Sequence, residues 1–101
     1  MTEKKVEQLL KFYHENFQGE SFGGELIDKK KFSSFELGEL KKVYRYGKYA
    51  VPDVEVEVYE KGVLVQINVT GELYLFRNRN NAFLFAKMRA QRYRILERGL
   101  R

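Results

Sequence analysis

Positive charge is concentrated at the end of the chain. The chain has 101 residues with nineteen Lys and Arg against fourteen Asp and Glu, and its formal net charge is +5. Residues 77–101 contain eight of those cations but only one acid, Glu97. A one-signed region of this kind attracts polyanions. Phosphate binding is therefore the first chemistry that the sequence suggests.

The spacing of these cations predicts one line along a helix. At 100° per residue, Lys87, Gln91, Arg94 and Arg98 fall on one face, opposite the apolar face. A helix face that is merely solvated usually mixes signs, because like charges four residues apart destabilise it slightly. Three interpretations stay open: a phosphate-binding stripe, a solvated face without a ligand, or a contact surface for an acidic protein partner.

The start of the same helix is a second candidate site. Arg77-Asn78-Arg79-Asn80-Asn81 carries no acid, although the helix dipole favours acids there. Free backbone N–H groups, Asn amides and Arg guanidinium groups together suit a phosphate. The alternative is a polar loop capped by Asn. The candidate phosphate contacts are Arg77, Arg79, Asn80, Lys87, Arg94 and Arg98.

Aromatic and basic residues alternate in Tyr44-Arg45-Tyr46-Gly47-Lys48-Tyr49. Such a segment suits base stacking by the rings and backbone contact by the cations. The alternative is that the tyrosines pack within or beside a strand. The secondary candidates are Tyr44, Arg45, Tyr46 and Lys48.

Catalytic patterns are weak. Cysteine is absent and His14 is the single histidine, which excludes thiol chemistry and a multi-histidine metal site. A metal-dependent nuclease would need an acid and a lysine on the second strand after Asp53, where Gln66 and Asn68 stand. We therefore expect no enzyme, no cofactor and no metal.

The first third of the chain predicts two helices. Apolar residues from Val6 to Phe17 follow a helical spacing over 3–17, and a loop over 18–31 follows. Ser33 and Glu36 have the spacing of a capping box, with Phe32 and Leu37 placed as a hydrophobic staple. A short helix near 34–43 is expected, with residues 43–49 either extending it or opening a strand.

Alternation in the middle of the chain predicts a meander. Valines at 54, 56 and 58 alternate with polar residues, and the same pattern returns over 63–69. A two-residue turn at Lys61-Gly62 would pair Val58 with Val65. A third strand is expected over 73–76.

Asn80 is expected to cap a final helix over 81–98 that stops at Gly99. Its predicted inward face is Leu84, Phe85, Met88, Ile95 and Leu96, with Arg89 and Arg92 at the border and their charged ends in water. The predicted fold is one α+β domain over 1–101. It comprises a three- to four-stranded antiparallel meander, N-terminal and C-terminal helices on one face, and a short helix after the first loop.

The expected function is sequence-tolerant binding of nucleic acid, with DNA and RNA both open, by a cytoplasmic protein with no membrane segment. The alternative is a homodimeric protein-interaction module without enzymatic activity. For that alternative, Tyr59, Leu64, Leu73 and Leu75 would form an apolar patch on the uncovered sheet face, which a second copy would bury.

Overall fold

The computed structural model describes residues 19–47 and 50–99, with side chains of the last helix up to residue 96. These residues form a five-stranded antiparallel sheet and one C-terminal helix, so the fold is α+β. The strands are β1 (Glu25–Leu26), β2 (Leu40–Tyr46), β3 (Val54–Tyr59), β4 (Val63–Ile67) and β5 (Glu72–Phe76). The helix α1 runs over Arg79–Gly99. The helix predicted over 3–17 lies outside the described residues.

The sheet order is β1-β5-β4-β3-β2. Strands β2 to β5 follow one another as the predicted meander, while β1 pairs with the outer side of β5. The expected count of three or four strands is corrected to five, because the stretch predicted as a loop over 18–31 contains β1. A short 3₁₀ helix, Gly19–Phe22, precedes that strand.

The short helix near 34–43 is a second correction. A 3₁₀ helix covers only Ser34–Leu37, and strand β2 begins three residues later. The Ser33 hydroxyl oxygen accepts a hydrogen bond from the Phe35 N–H at 3.4 Å, so the capping signal is real. Gly38, with φ of 80°, then ends the turn in a conformation that glycine adopts without strain.

The central hairpin keeps its predicted faces but changes register. Val58 pairs with Val63 rather than Val65, because the turn lies one residue earlier than expected. The N–H groups of Glu60 and Lys61 donate to the carbonyls of Glu39 and Leu37 at 3.1 and 3.0 Å, which holds the turn there. A Cβ on Gly62 would lie 3.1 Å from Leu75 and 3.2 Å from Leu37, so close packing explains this glycine.

Helix α1 covers one sheet face. Its buried residues in this core are Ala82, Phe85, Ala86, Ala90 and Tyr93, packed on valines of β3 and β4 and on Tyr74 and Phe76. The predicted inward face is wrong at Leu84, which is 49% exposed. Three alanines spaced four residues apart allow the helix to lie close to the sheet. Among the described helices, none is long and apolar enough to cross a bilayer.

The other sheet face is also covered. Leu64, Leu73 and Leu75 are buried there with Leu37, and Ile27, Phe32 and Tyr59 pack around them. The covering residues come from the segment 27–37, which returns across the sheet between β1 and β2. The apolar patch expected on this face is therefore occupied by the chain itself.

Candidate nucleic-acid interface

Strand β2 turns two tyrosines toward the helix. Tyr44 and Tyr46 pair with Val56 and Val54, both fully buried beneath α1, so the tyrosines share the helix side of the sheet. Lys42 pairs with Val58 on the same side. Since β2 is the last strand of the sheet, its side chains lie beside α1 rather than under it. Lys42, Tyr44 and Tyr46 and the adjacent side of α1 form one surface. We call it the β2–α1 surface.

The helix begins earlier than predicted. The side-chain oxygen of Asn78 accepts from the N–H of Asn81 at 3.1 Å, so Asn78 is the cap in place of Asn80. Arg79 is then the first helical residue and Asn80 the second, exposed in the first turn. No acid occurs in that turn, as the sequence indicates.

Arg79 of the helix contacts Tyr44 of β2. Its Nη2 donates to the Tyr44 hydroxyl at 3.4 Å, and its guanidinium carbon lies 5.5 Å from the centre of the Phe83 ring. The rings of Tyr44 and Phe83 meet edge to face at 4.8 Å, while the Lys42 ammonium lies 4.9 Å from the Tyr44 ring centre. These contacts occupy one end of the β2–α1 surface and hold the charged groups of Lys42 and Arg79 at its edge.

The other end of the β2–α1 surface contains an open pocket of about 340 Å³. Its lining residues are Tyr46, Lys87, Ala90, Gln91, Arg94 and Ile95. Burial, followed by the nearby Tyr44, raises the pKa of the Tyr46 hydroxyl above its ordinary value. The pocket therefore combines one aromatic ring, one amide and two cations.

Arg77 lies at a neighbouring depression. Its Nη1 donates to the carbonyl of Lys61 at 3.1 Å in the β3–β4 turn. Arg77, Arg79 and Lys61 line this second concavity, also about 340 Å³, together with the acid Glu60 and apolar residues of the hairpin. Arg79 belongs to both sites, so exposed cations continue from the hairpin turn to the middle of α1.

Two of the arginines singled out by the sequence, Arg45 and Arg89, are paired with acids. Arg45 points to the opposite sheet face from Tyr44 and Tyr46, where its Nε lies 2.9 Å from a Glu55 carboxylate oxygen. Arg89 was expected to reach water, but it is 1% exposed and paired with Glu72 at 3.0 Å. The site residues predicted at Lys48 and at the Arg98 side chain lie outside the described residues.

The remaining predicted cations are not paired with acids in the described part of the chain. There, no carboxylate oxygen lies within 4.0 Å of the charged nitrogens of Arg77, Arg79, Lys87 or Arg94. All four side chains are exposed. The structure thus brings Tyr44, Tyr46, Arg79, Lys87 and Arg94 to one surface, places Arg77 beside it, and places Arg45 on the other sheet face.

Three residues of this surface were not predicted as site residues. Lys42 was predicted to lie in a helix. However, Lys42, Tyr44 and Tyr46 occupy every second position, which is the spacing of residues on one face of a strand. No local pattern identified Phe83 as a site residue, because its ring contacts Tyr44, which lies 39 positions away in the sequence. Gln91 was recognised on the basic line but not as a pocket residue.

Comparison of the chain with protein-family models, with curated proteins and with solved structures found no match. Functional inference therefore depends on the geometry of this surface.

Proposed function

We propose that the protein binds nucleic acid through the β2–α1 surface, with Lys42, Arg79, Lys87 and Arg94 contacting phosphates. One observation carries the proposal. Exposed cations that no described carboxylate neutralises lie along one helix flank, beside two partly exposed tyrosines of the sheet edge. Cations that follow a backbone and rings that receive bases are the two components of non-specific nucleic-acid sites.

The charge arrangement opposes helix stability. Arg79 occupies the first helical position, where the positive end of the helix dipole disfavours a cation. Lys87 and Arg94 extend the same flank without an acid between them. Unfavourable placements of this kind, each worth a few tenths of a kcal/mol, are explained when the surface has an anionic ligand.

The length of the flank also suits a polymer. Arg79 and Arg94 are fifteen residues apart, which corresponds to about 22 Å along a helix axis. Several consecutive phosphates of one strand reach that far. Because phosphates carry no base information, the binding is largely independent of sequence.

Fluorescence anisotropy with a labelled oligonucleotide tests the proposal. Four phosphate contacts give a log–log slope of affinity against salt of about −3.6 on duplex DNA and about −2.8 on a single strand. The double variant Lys87→Gln/Arg94→Gln should weaken binding and make both slopes shallower by about 1.4 to 1.8.

A matched control removes the same charge elsewhere. Lys29→Gln/Lys30→Gln changes two exposed lysines in the segment between β1 and β2, away from helix α1. This variant should keep nearly all of the affinity. Binding that is absent at about 50 mM salt, or equal losses in the two double variants, would refute the proposal.

The homodimeric interaction module is the alternative. The apolar patch that suggested it is covered by residues 27–37, which removes its main structural support. Sizing chromatography alongside the anisotropy separates the two proposals, because a dimer without affinity for nucleic acid would favour the alternative.

A further inference from the structure

The pocket at the open end of the β2–α1 surface is lined by both polar and apolar side chains. Tyr46 forms the sheet side, while Ala90 and Ile95 add apolar groups from the helix. Lys87 and Arg94 lie two helical turns apart on either side of Gln91. Its volume of about 340 Å³ is near the lower end of small-ligand sites, roughly 300–1,000 Å³.

We propose that this pocket receives one unpaired base of a single-stranded nucleic acid, which stacks on Tyr46 while Lys87 and Arg94 hold the phosphates on its two sides. This inference rests on the proposed function and adds the form of the ligand. A paired base inside a duplex is stacked on both faces, so it cannot lie against a protein ring unless it leaves the helix. An unpaired strand has no such restriction.

The remaining groups agree with a base in this position. Gln91 has both a donor and an acceptor in its amide, and so matches the hydrogen-bonding edge of any base. The Tyr46 hydroxyl is neutral near physiological pH, as tyrosine ordinarily is, and burial followed by Tyr44 raises its pKa further, so it does not repel phosphate. Tyr44 is less suited to stacking, because Phe83 and Lys42 already contact its ring.

Three variants test the stacking contact. Tyr46→Leu removes the aromatic face and keeps an apolar side chain, Tyr46→Phe keeps the ring, and Gln91→Glu puts a negative charge at an exposed position of the pocket. The probes are labelled oligo(dU) and oligo(U) strands of about 12 nucleotides, together with a duplex of the same length. The two single strands separate deoxyribose from ribose as the preferred backbone.

Tyr46→Leu should bind both single strands about tenfold or more weakly, since one stacked base contributes that much, and should bind the duplex as the wild type does. Tyr46→Phe should retain single-strand affinity. Gln91→Glu, which lies on the solvent side of α1 and leaves the core unchanged, should weaken single-strand binding even if Tyr46→Leu lowers the melting temperature. A single strand containing 5-iodouracil should photocrosslink to Tyr46.

The failures are distinguishable. If the duplex binds as tightly as the single strands, or if neither Tyr46→Leu nor Gln91→Glu alters single-strand affinity, the base pocket is refuted. Nucleic-acid binding would then still stand if Lys87→Gln/Arg94→Gln weakened it. Absence of binding to all three probes refutes both proposals together.

Discussion

The guanidinium of Arg89 faces the carboxylate of Glu72 through two parallel contacts, Nη1 to Oε1 at 3.0 Å and Nη2 to Oε2 at 3.2 Å. The pair joins the middle of α1 to the start of β5. Tyr93 accepts a further hydrogen bond from Arg89, and the hydroxyls of Thr70 and Tyr74 donate to Glu72. An ion pair with this many partners positions the helix on the sheet.

Removing one member of this pair should destabilise the protein strongly. Glu72→Gln removes the carboxylate that faces the buried Arg89 guanidinium through two hydrogen bonds, and we expect a loss of about 3 kcal/mol in the free energy of unfolding. The double variant Glu72→Gln/Arg89→Met should recover a large part of that loss, because an apolar side chain then fills the site. Urea denaturation measures both.

A matched control is the exposed pair Arg45–Glu55, in which the Arg45 side chain is 67% exposed. Arg45→Met should change the stability by less than about 1 kcal/mol. Similar losses for Glu72→Gln and Arg45→Met would show that Arg89 does not depend on Glu72.

The same pair makes stability depend on pH. Burial raises the pKa of the Glu72 carboxyl, but hydrogen bonds from Arg89, Thr70 and Tyr74 outweigh burial and lower the pKa from its ordinary value of 4.5 to about 2. A depressed folded-state pKa contributes stability that is fully present above the unfolded value and lost as pH falls toward the folded value. The loss should therefore occur between about pH 4.5 and pH 2.

After allowance for the partial exposure of the Glu72 carboxylate, we expect this group to account for about 2 kcal/mol across that interval. Melting temperatures from about pH 7 to pH 2 measure it. In Glu72→Gln this component of the pH dependence should be missing, and an acid transition identical to that of the wild type would contradict the prediction.

Phe32 should be a main support of the cover over the second sheet face. It packs against the cluster of Leu37, Leu64, Leu73 and Leu75. Phe32→Ala should lower the free energy of unfolding by about 2 kcal/mol, somewhat less than for a fully buried phenylalanine. It should also expose apolar surface, which increases the binding of a hydrophobic dye and promotes self-association.

Phe35 provides the control for Phe32, because it lies in the same segment and is 90% exposed. Phe35→Ala should change the stability by less than about 0.5 kcal/mol. Equal effects of the two substitutions in denaturation and in sedimentation would show that residues 27–37 do not hold the leucines in place.

Local patterns predicted the parts of the fold that depend on neighbouring residues. The alternating valines of β3 and β4 identified two strands and the face they bury, because strand side chains alternate. The hairpin register was wrong by two residues, since bonds from Glu60 and Lys61 to Glu39 and Leu37 determine the turn position. Those partners are distant in sequence and leave no local signal.

The sequence predicted which exposed cations belong to the candidate site, but it did not predict which cations form ion pairs. The exposed line of Lys87 and Arg94 followed from helical spacing alone. The burial of Arg89 depends on its pairing with Glu72, which lies seventeen residues earlier in β5. No local pattern predicts which strand residue faces a given helix residue. Lys42 was missed because the capping signal at Ser33 and Glu36 favoured a longer helix than the single turn that forms.

Alanines at 82, 86 and 90 determine how near the helix axis lies to the strands, and Ala90 also lines the pocket beside Tyr46. A bulkier residue at any of the three would lift the helix and widen the gap to the edge tyrosines. Evolutionary change at these positions would therefore alter the width of the pocket beside Tyr46, even with every basic residue retained. Under the proposed function, these interior alanines would limit the size of the ligand, a property usually attributed to residues that touch the ligand.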